Sequence, residues 1–404
     1  MRSLFAIVFG CLGCVALSAL VAVTLGFGLP LGSEGTTDFV QYWSAWQLLQ
    51  QGINPYDGAL LHATQLGVGQ DPGVTIMMWN PPWVPVLLSP LLELPFPAAS
   101  LTWFVCNLCL LLIIAIFTPR ALGYANLPLW VYGAGVCFLP FIDCLKLGQL
   151  SFTYTCGFVL FLYFVRLERH LLAGVMVALL MSKPHLFFLF VVPGIIWLVG
   201  LRRRDAGVFL LGLILAMVPL VAVTLNLCPK AFTWWFEGMR NPTVGYGVVP
   251  VREWKTGTLA TLVRTTILSS TGKIPDWPLW VFPLGGLIGV TTYFRVRKLP
   301  LIWSNIAPVL LCGCCLLGSY GWLFDQSILV VAHFSLLCRA AVEFDARRRN
   351  VAVAGLVMIQ VAMVGINVAT LSPQHYYVWV PAAYLLLLWV CSQPANLLNT
   401  QRKD

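Results

Sequence analysis

The chain has 404 residues, of which 59% are hydrophobic and only 10% charged, and its mean hydropathy is +0.85. A soluble domain carries about 25% charged residues, so a water-soluble globule of this size is excluded, and so much apolar surface excludes a disordered chain as well. A polytopic membrane protein remains, and its net charge of +9 has to be read by position.

Half of the 24 basic residues fall in five short clusters: Arg2, Arg202–Arg204, Arg295 with Arg297 and Lys298, Arg347–Arg349, and Arg402 with Lys403. Each abuts an apolar run, which is the pattern of cytoplasmic loops. The basic excess is therefore topological. No basic stripe with interleaved aromatics is present, so nucleic acid is not expected as a partner. If all five clusters face the cytoplasm, an even number of spans separates each pair.

The first apolar run, about 4–28, has the length of a full crossing. It is uncharged from Ser3 to Ser33 and lacks a clear small-residue cleavage site, so it reads as a retained first span rather than a signal peptide. A long loop of about 29–80 follows, and loops of that length are usually functional or disordered. Within it, apolar and aromatic residues at 39, 42/43, 46 and 49 repeat with helical period. Thr36 or Thr37 is the expected N-cap and Gly52 the C-cap. Asp38 then opens a short amphipathic helix lying at the outer membrane surface, with Gln41, Tyr42 and Ala45 on its face. Asn54-Pro55-Tyr56-Asp57-Gly58 reads as a turn, with Asp57 a turn residue. An acid at the start of a helix also favours the helix dipole, so these residues alone leave Asp38 either structural or reactive.

Further runs at about 81–95, 97–118, 128–143 and 149–166 give spans two to five. The stretch 171–200 counts as one span broken at Lys183-Pro184, because two spans there would upset the parity. After a run at about 206–227, a second outer loop covers about 228–276. It holds Trp234, Trp235, Arg240, Arg252, Trp254, Lys255 and Arg264, and few acids. That mix suits an anionic, lipid-linked ligand, and it equally suits an interfacial anchor. Runs at about 278–294, 300–317, 326–342, 350–371 and 376–393 complete a bundle of about twelve spans, read as one domain over 1–404.

A charge at mid-membrane costs about 2.5–3.5 kcal/mol on insertion scales, so the ionisable residues within spans are candidates for function. Lys183 and His185 flank the helix-breaking Pro184, and a lysine there can hold a phosphate or simply terminate a helix. Asp325 can cap the tenth span or bind substrate hydroxyls. His333, two turns deeper, fits either a substrate contact or an interhelical hydrogen bond. Asp143 and Lys146 are spaced for a local ion pair. The 13 cysteines lie almost all in apolar runs, and no His or carboxylate is near their close spacings at 11/14, 106/109 and 312–315. They read as small core residues, with no metal and no cofactor expected.

In order, the chain carries Asp38-x-x-x-Tyr42-x-x-Ala45, Gly52-x-Asn54-Pro55-Tyr56, Trp79-Asn80-Pro81-Pro82, Gly148-Gln149 and Ser182-Lys183-Pro184-His185. This series resembles glycosyltransferase family 87, polytopic enzymes similar to the polyprenyl-phosphate-mannose-dependent mannosyltransferases. The resemblance implies an all-α GT-C-like bundle in the plasma membrane of a bacterium, with its active site facing outside. It implies inverting transfer of a hexose, mannose foremost, from a polyprenyl-phosphate sugar to a lipid or glycan acceptor. By position and motif Asp38 matches the catalytic acid of the first outer loop. One carboxylate suffices as base, since the leaving group is already a phosphate. Lys183, His185, Arg240, Arg252 and Lys255 are then the candidates for the donor phosphate, and Gln41, Tyr42, Asn54, Tyr56, Asp325 and His333 for substrate contacts.

Two other classes compete. A secondary transporter fits about twelve spans and a broken helix, but the halves show no internal repeat and two long outer loops are unusual for it. A membrane scaffold leaves Asp38, Lys183 and Asp325 without a reason. Among enzymes, arabinose or glucose as the transferred sugar stays open.

Overall fold

The computed structural model describes residues 38–240, 253–297, 301–370 and 374–393, and these form an all-helical body with no strand. The expected first span, the Thr36 or Thr37 cap and Arg252 lie outside the described residues. In chain order the first elements are α1 (Val40–Gln50), α2 (Gly58–Leu66), α3 (Trp83–Leu92), α4 (Phe96–Leu122), α5 (Leu129–Val136), α6 (Leu139–Leu147), α7 (Ser151–Arg166) and α8 (His170–Leu180). A 3-10 turn at Pro184–Phe190 leads into α9 (Val191–Gly200), α10 (Arg203–Leu227), α11 (Ala231–Arg240), α12 (Leu259–Thr271), α13 (Pro278–Arg297) and α14 (Trp303–Leu317). A second 3-10 turn, Phe324–Leu329, runs into α15 (Val330–Val342). Then come α16 (Ala346–Thr370), a 3-10 turn at Gln374–Val378 and α17 (Trp379–Ser392).

Every apolar run within the described residues became helix, because a backbone in hydrocarbon has to satisfy its own polar groups. Twelve crossings are not confirmed among the described residues, which leave out the expected first span. Among the described residues six helices are long and apolar enough to cross alone, and the α5–α6 pair, bent by 53°, would be a seventh. The clearest departure is the expected second span. Pro81-Pro82 and Pro95 bracket α3 at 10 residues, about 15 Å of helix against a ~30 Å hydrocarbon core. The break in the 171–200 run is where the sequence puts it: α8 ends at Leu180 and Pro184 starts the 3-10 turn.

The helix opened by Asp38 also forms, but it is not a surface helix. Eight of its 11 residues are buried. It docks on the C-terminal end of α3, where Trp43 Nε1 donates to the Leu94 carbonyl at 3.0 Å, Gln47 Nε2 to the Leu92 carbonyl at 3.1 Å and Gln50 Nε2 to Glu93 Oε1 at 2.6 Å. Trp43 and Gln47 thereby satisfy carbonyls that a helix end leaves unpaired, and Gln50 pairs with a carboxylate. Gly52 follows α1 at φ +68°, and Asp57 caps α2 by accepting from the Ala59 and Leu60 amides.

Helices α8 and α10 cross in backbone contact. A Cβ on Gly174 would run into the Phe209 carbonyl, and one on Gly212 into the Leu171 carbonyl. Small residues let membrane helices touch in this way. Gly212→Leu is expected to destabilise the protein by about 1–3 kcal/mol or more, the range for overpacking. Thermal unfolding in detergent measures this, and an unchanged midpoint would show that the two helices do not meet here.

Candidate active site

Asp38 sits just ahead of α1, half-buried. Its Oδ2 accepts from Gln149 Nε2 at 2.5 Å, and Gln149 Oε1 accepts from the Tyr42 hydroxyl at 3.0 Å. Gln149 owes its place to the end of α6. Gly148 turns the chain there at φ +65°, a left-handed conformation glycine adopts without strain. The Gly148 carbonyl is fixed by Trp103 Nε1 at 2.8 Å. Burial pushes the Asp38 carboxyl above its ordinary value, opposed by the Gln149 hydrogen bond and then by the charge of Lys183.

Lys183 marks the other half of the site. Its Nζ lies 2.8 Å from Asp325 Oδ1, and the two side chains are 12% and 2% exposed. Asp325 is held by two further donors, the Tyr154 hydroxyl at 2.7 Å and the Trp322 amide at 3.1 Å. The ammonium also faces the Phe324 ring, 4.8 Å from its centroid. The two halves are electrostatically one site. Lys183 acts on Asp38, and Asp38 and Asp325 both act on Tyr42.

The Trp79-Asn80 pair ties this centre to the second loop. Asn80 Nδ2 donates to the Ser182 carbonyl at 3.1 Å, next to Lys183, and the Asn80 carbonyl accepts from the Tyr56 hydroxyl at 2.9 Å. The Trp79 carbonyl accepts from Trp235 Nε1 at 3.2 Å, and the Trp79 ring meets that of Trp254 with centroids 5.1 Å apart. Trp254 in turn packs on Tyr320 and Trp322.

The candidate residues sort accordingly. Asp38, Tyr42, Lys183 and Asp325 come together. Gln41 is buried and its Nε2 folds back on the Asp38 carbonyl at 2.9 Å. Asn54 makes a local turn, its Oδ1 accepting from the Tyr56 amide at 2.9 Å, and Tyr56 is a buried brace on Asn80. His185 is exposed beside Pro184, Arg240 is exposed at the end of α11, and Lys255 is exposed in the second loop. His333 is a buried interhelical hydrogen bonder, with Nδ1 2.8 Å from the Tyr384 hydroxyl and Nε2 3.1 Å from the Ala134 carbonyl. Both ring nitrogens are spent on protein, so it has no atom to offer a substrate. Asp143 Oδ2 is buried and has no hydrogen-bond partner among the described residues. Gln149, Tyr154 and Trp322 join the site through contacts that sequence does not display. Gly148-Gln149 is recognisable as a motif, whereas nothing local to Tyr154 or Trp322 marks either as a partner of a distant carboxylate. Among the described residues no three His, Cys, Asp or Glu side chains are grouped to hold a metal ion.

A partly dehydrated carboxylate with one fixed oxygen, beside a lysine, can accept a proton from a hydroxyl while the cation meets a developing negative charge. No curated protein and no solved structure matches the chain. The model of glycosyltransferase family 87 matches residues 79–319, a stretch that contains Asn80, Gln149, Lys183 and Arg240 and leaves Asp38, Tyr42 and Asp325 outside. With more than half of its length matched, the chain belongs to glycosyltransferase family 87 and is a membrane glycosyltransferase.

Proposed function

We propose that this enzyme transfers a hexose, with mannose the first candidate, from a polyprenyl-phosphate sugar to a lipid or glycan acceptor at the outer face of the plasma membrane, with inversion at the anomeric carbon. The observation that carries the proposal is the Asp38 carboxylate, held by Gln149 within electrostatic reach of Lys183. In this reading the acceptor hydroxyl gives its proton to Asp38 as its oxygen bonds to the anomeric carbon. The bond from that carbon to the phosphate oxygen breaks, and the polyprenyl phosphate leaves with the electron pair. Lys183 stabilises the departing charge. Arg240 and Lys255 stay candidates for holding the donor outside this centre, Arg252 stays a candidate for the donor phosphate, and His185 for a contact beside Lys183.

The test is a transfer assay with the purified protein in lipid, supplied with a panel of polyprenyl-phosphate sugars and read by product mass, with the anomeric configuration of the product read by NMR. Transfer of one hexose with inverted linkage is the expected result. Transfer from nucleotide sugars alone would reject the polyprenyl donor.

The rate is also expected to follow pH with a definite sign. A base works ionised, and burial raises the pKa of Asp38 above its ordinary 3.8. Transfer is therefore expected to rise with pH through a limb on the alkaline side of that value and to stay high above it, as an initial-rate profile at saturating donor would show. A profile falling as pH rises through that limb would mean that the protonated carboxyl is the working form.

A further inference from the structure

We propose that Gln149 and Tyr42 are the positioning residues of this centre: they hold Oδ2 of Asp38 and leave Oδ1 as the atom that takes the acceptor proton. The inference rests on the reading of Asp38 as base and assigns which of its oxygens reacts. The argument starts at Tyr42. Its ring is fully buried, and burial, then the charges of Asp38 and Asp325, push its pKa well above the ordinary phenol value. The phenol stays protonated, so in its 3.0 Å contact with Gln149 Oε1 the hydroxyl is the donor. The amide orientation is fixed at its other end, by the carboxylate. With Oε1 spent on Tyr42, Nε2 is the end that faces Asp38, and it donates to Oδ2 at 2.5 Å. An ionised carboxylate only accepts, so a flipped amide would place two acceptors against each other at Asp38, and the chain Tyr42 to Gln149 to Asp38 has one polarity.

The residues around this chain hold it in place. Gln149 is 5% exposed and directly follows Gly148, whose carbonyl is bound by Trp103. Tyr42 is carried by α1, which is clamped to the end of α3. Among the described residues the charge of Lys183, at the break after α8, acts on Asp38, and Asp38 in turn acts on Asp143 of α6 and on Tyr42 of its own helix. A neutral donor does here what a second cation would do too strongly. It keeps the carboxylate oriented and ionised without binding its second oxygen.

The test compares pH profiles of transfer for the wild type, Gln149→Leu, Gln149→Glu, Tyr42→Phe and Asp38→Asn, each checked for folding by size-exclusion in detergent. Gln149→Leu removes the donor, so the limb assigned to Asp38 is expected to move to higher pH, with kcat at neutral pH down about tenfold or more and acceptor KM within about twofold. Gln149→Glu keeps the size but sets two carboxyl groups together, which cannot both ionise easily, and the limb is expected to move further the same way. Tyr42→Phe frees the amide to rotate, giving a smaller shift in the same direction. A structural role alone would lower yield or rate without moving the limb, and folded Gln149 variants with the wild-type limb would overturn the proposal. Loss of transfer in Asp38→Asn with an unmoved limb in the Gln149 variants removes only the positioning role. Retained transfer in Asp38→Asn removes the base assignment and this proposal with it.

Discussion

Asp38→Asn is expected to lower sugar transfer by roughly 10²–10⁴-fold, the range for loss of a general base, in a protein that still folds and inserts. The two side chains have the same shape, and the amide oxygen of the variant can still accept from Gln149 Nε2, as Asp38 Oδ2 does at 2.5 Å. Stability follows the opposite sign from activity. Burial raises the Asp38 pKa, so above that value the ionised carboxylate costs the folded state free energy, and a neutral amide does not. The variant is therefore expected to unfold at or slightly above the wild-type temperature near neutral pH. Initial rates with a purified polyprenyl-phosphate sugar, paired with a thermal melt in detergent, measure both. A rate within a few-fold of wild type would show that the proton leaves to another group, and the half-buried carboxylate would then be a structural acceptor. A collapsed melt would show that Asp38 carries part of the fold, which the absence of a side-chain cap on α1 argues against.

The helices were legible in the sequence because in hydrocarbon an apolar run has little choice but to become helix. The break at Lys183-Pro184 was legible too, since proline removes a backbone donor and starts a new turn. The lengths of crossing were less so. The run at 81–95 looked like a span by hydropathy, and the prolines bracketing α3 shorten it to 10 residues. The helix after Asp38 was readable as a helix, but not as a buried one. Its Trp and Gln side chains look interfacial in sequence, and they are instead spent on the end of α3. The partners of the charged residues were hidden for a simpler reason. Gln149 is 111 residues from Asp38, and Asp325 is 142 from Lys183. Composition and periodicity carry local information, and each of these pairs is made only when distant spans pack.

The Lys183–Asp325 pair gives the second large effect. Its atoms are 2.8 Å apart at 12% and 2% exposure, and removing one member of a buried pair typically costs 3–5 kcal/mol because the other charge is left unpaired. Asp325→Asn leaves the ammonium among the rings of Phe324 and Tyr154. Lys183→Met leaves the carboxylate with only the Tyr154 hydroxyl and the Trp322 amide. Each single variant is expected to lose stability on the order of 3–5 kcal/mol, seen as a lower denaturant midpoint in detergent. The double variant Lys183→Met/Asp325→Asn strands no charge, so it is expected to recover most of that loss. Activity separates the two possible duties of the lysine. If Lys183 serves only to neutralise Asp325, the double variant recovers transfer along with stability. If it meets the donor phosphate, as proposed, the double variant folds well and still transfers slowly, with the deficit largest in the chemical step because the phosphate charge grows as the bond breaks. Wild-type stability in both single variants would mean that the pair is not formed, and wild-type transfer by the double variant would take Lys183 out of the reaction.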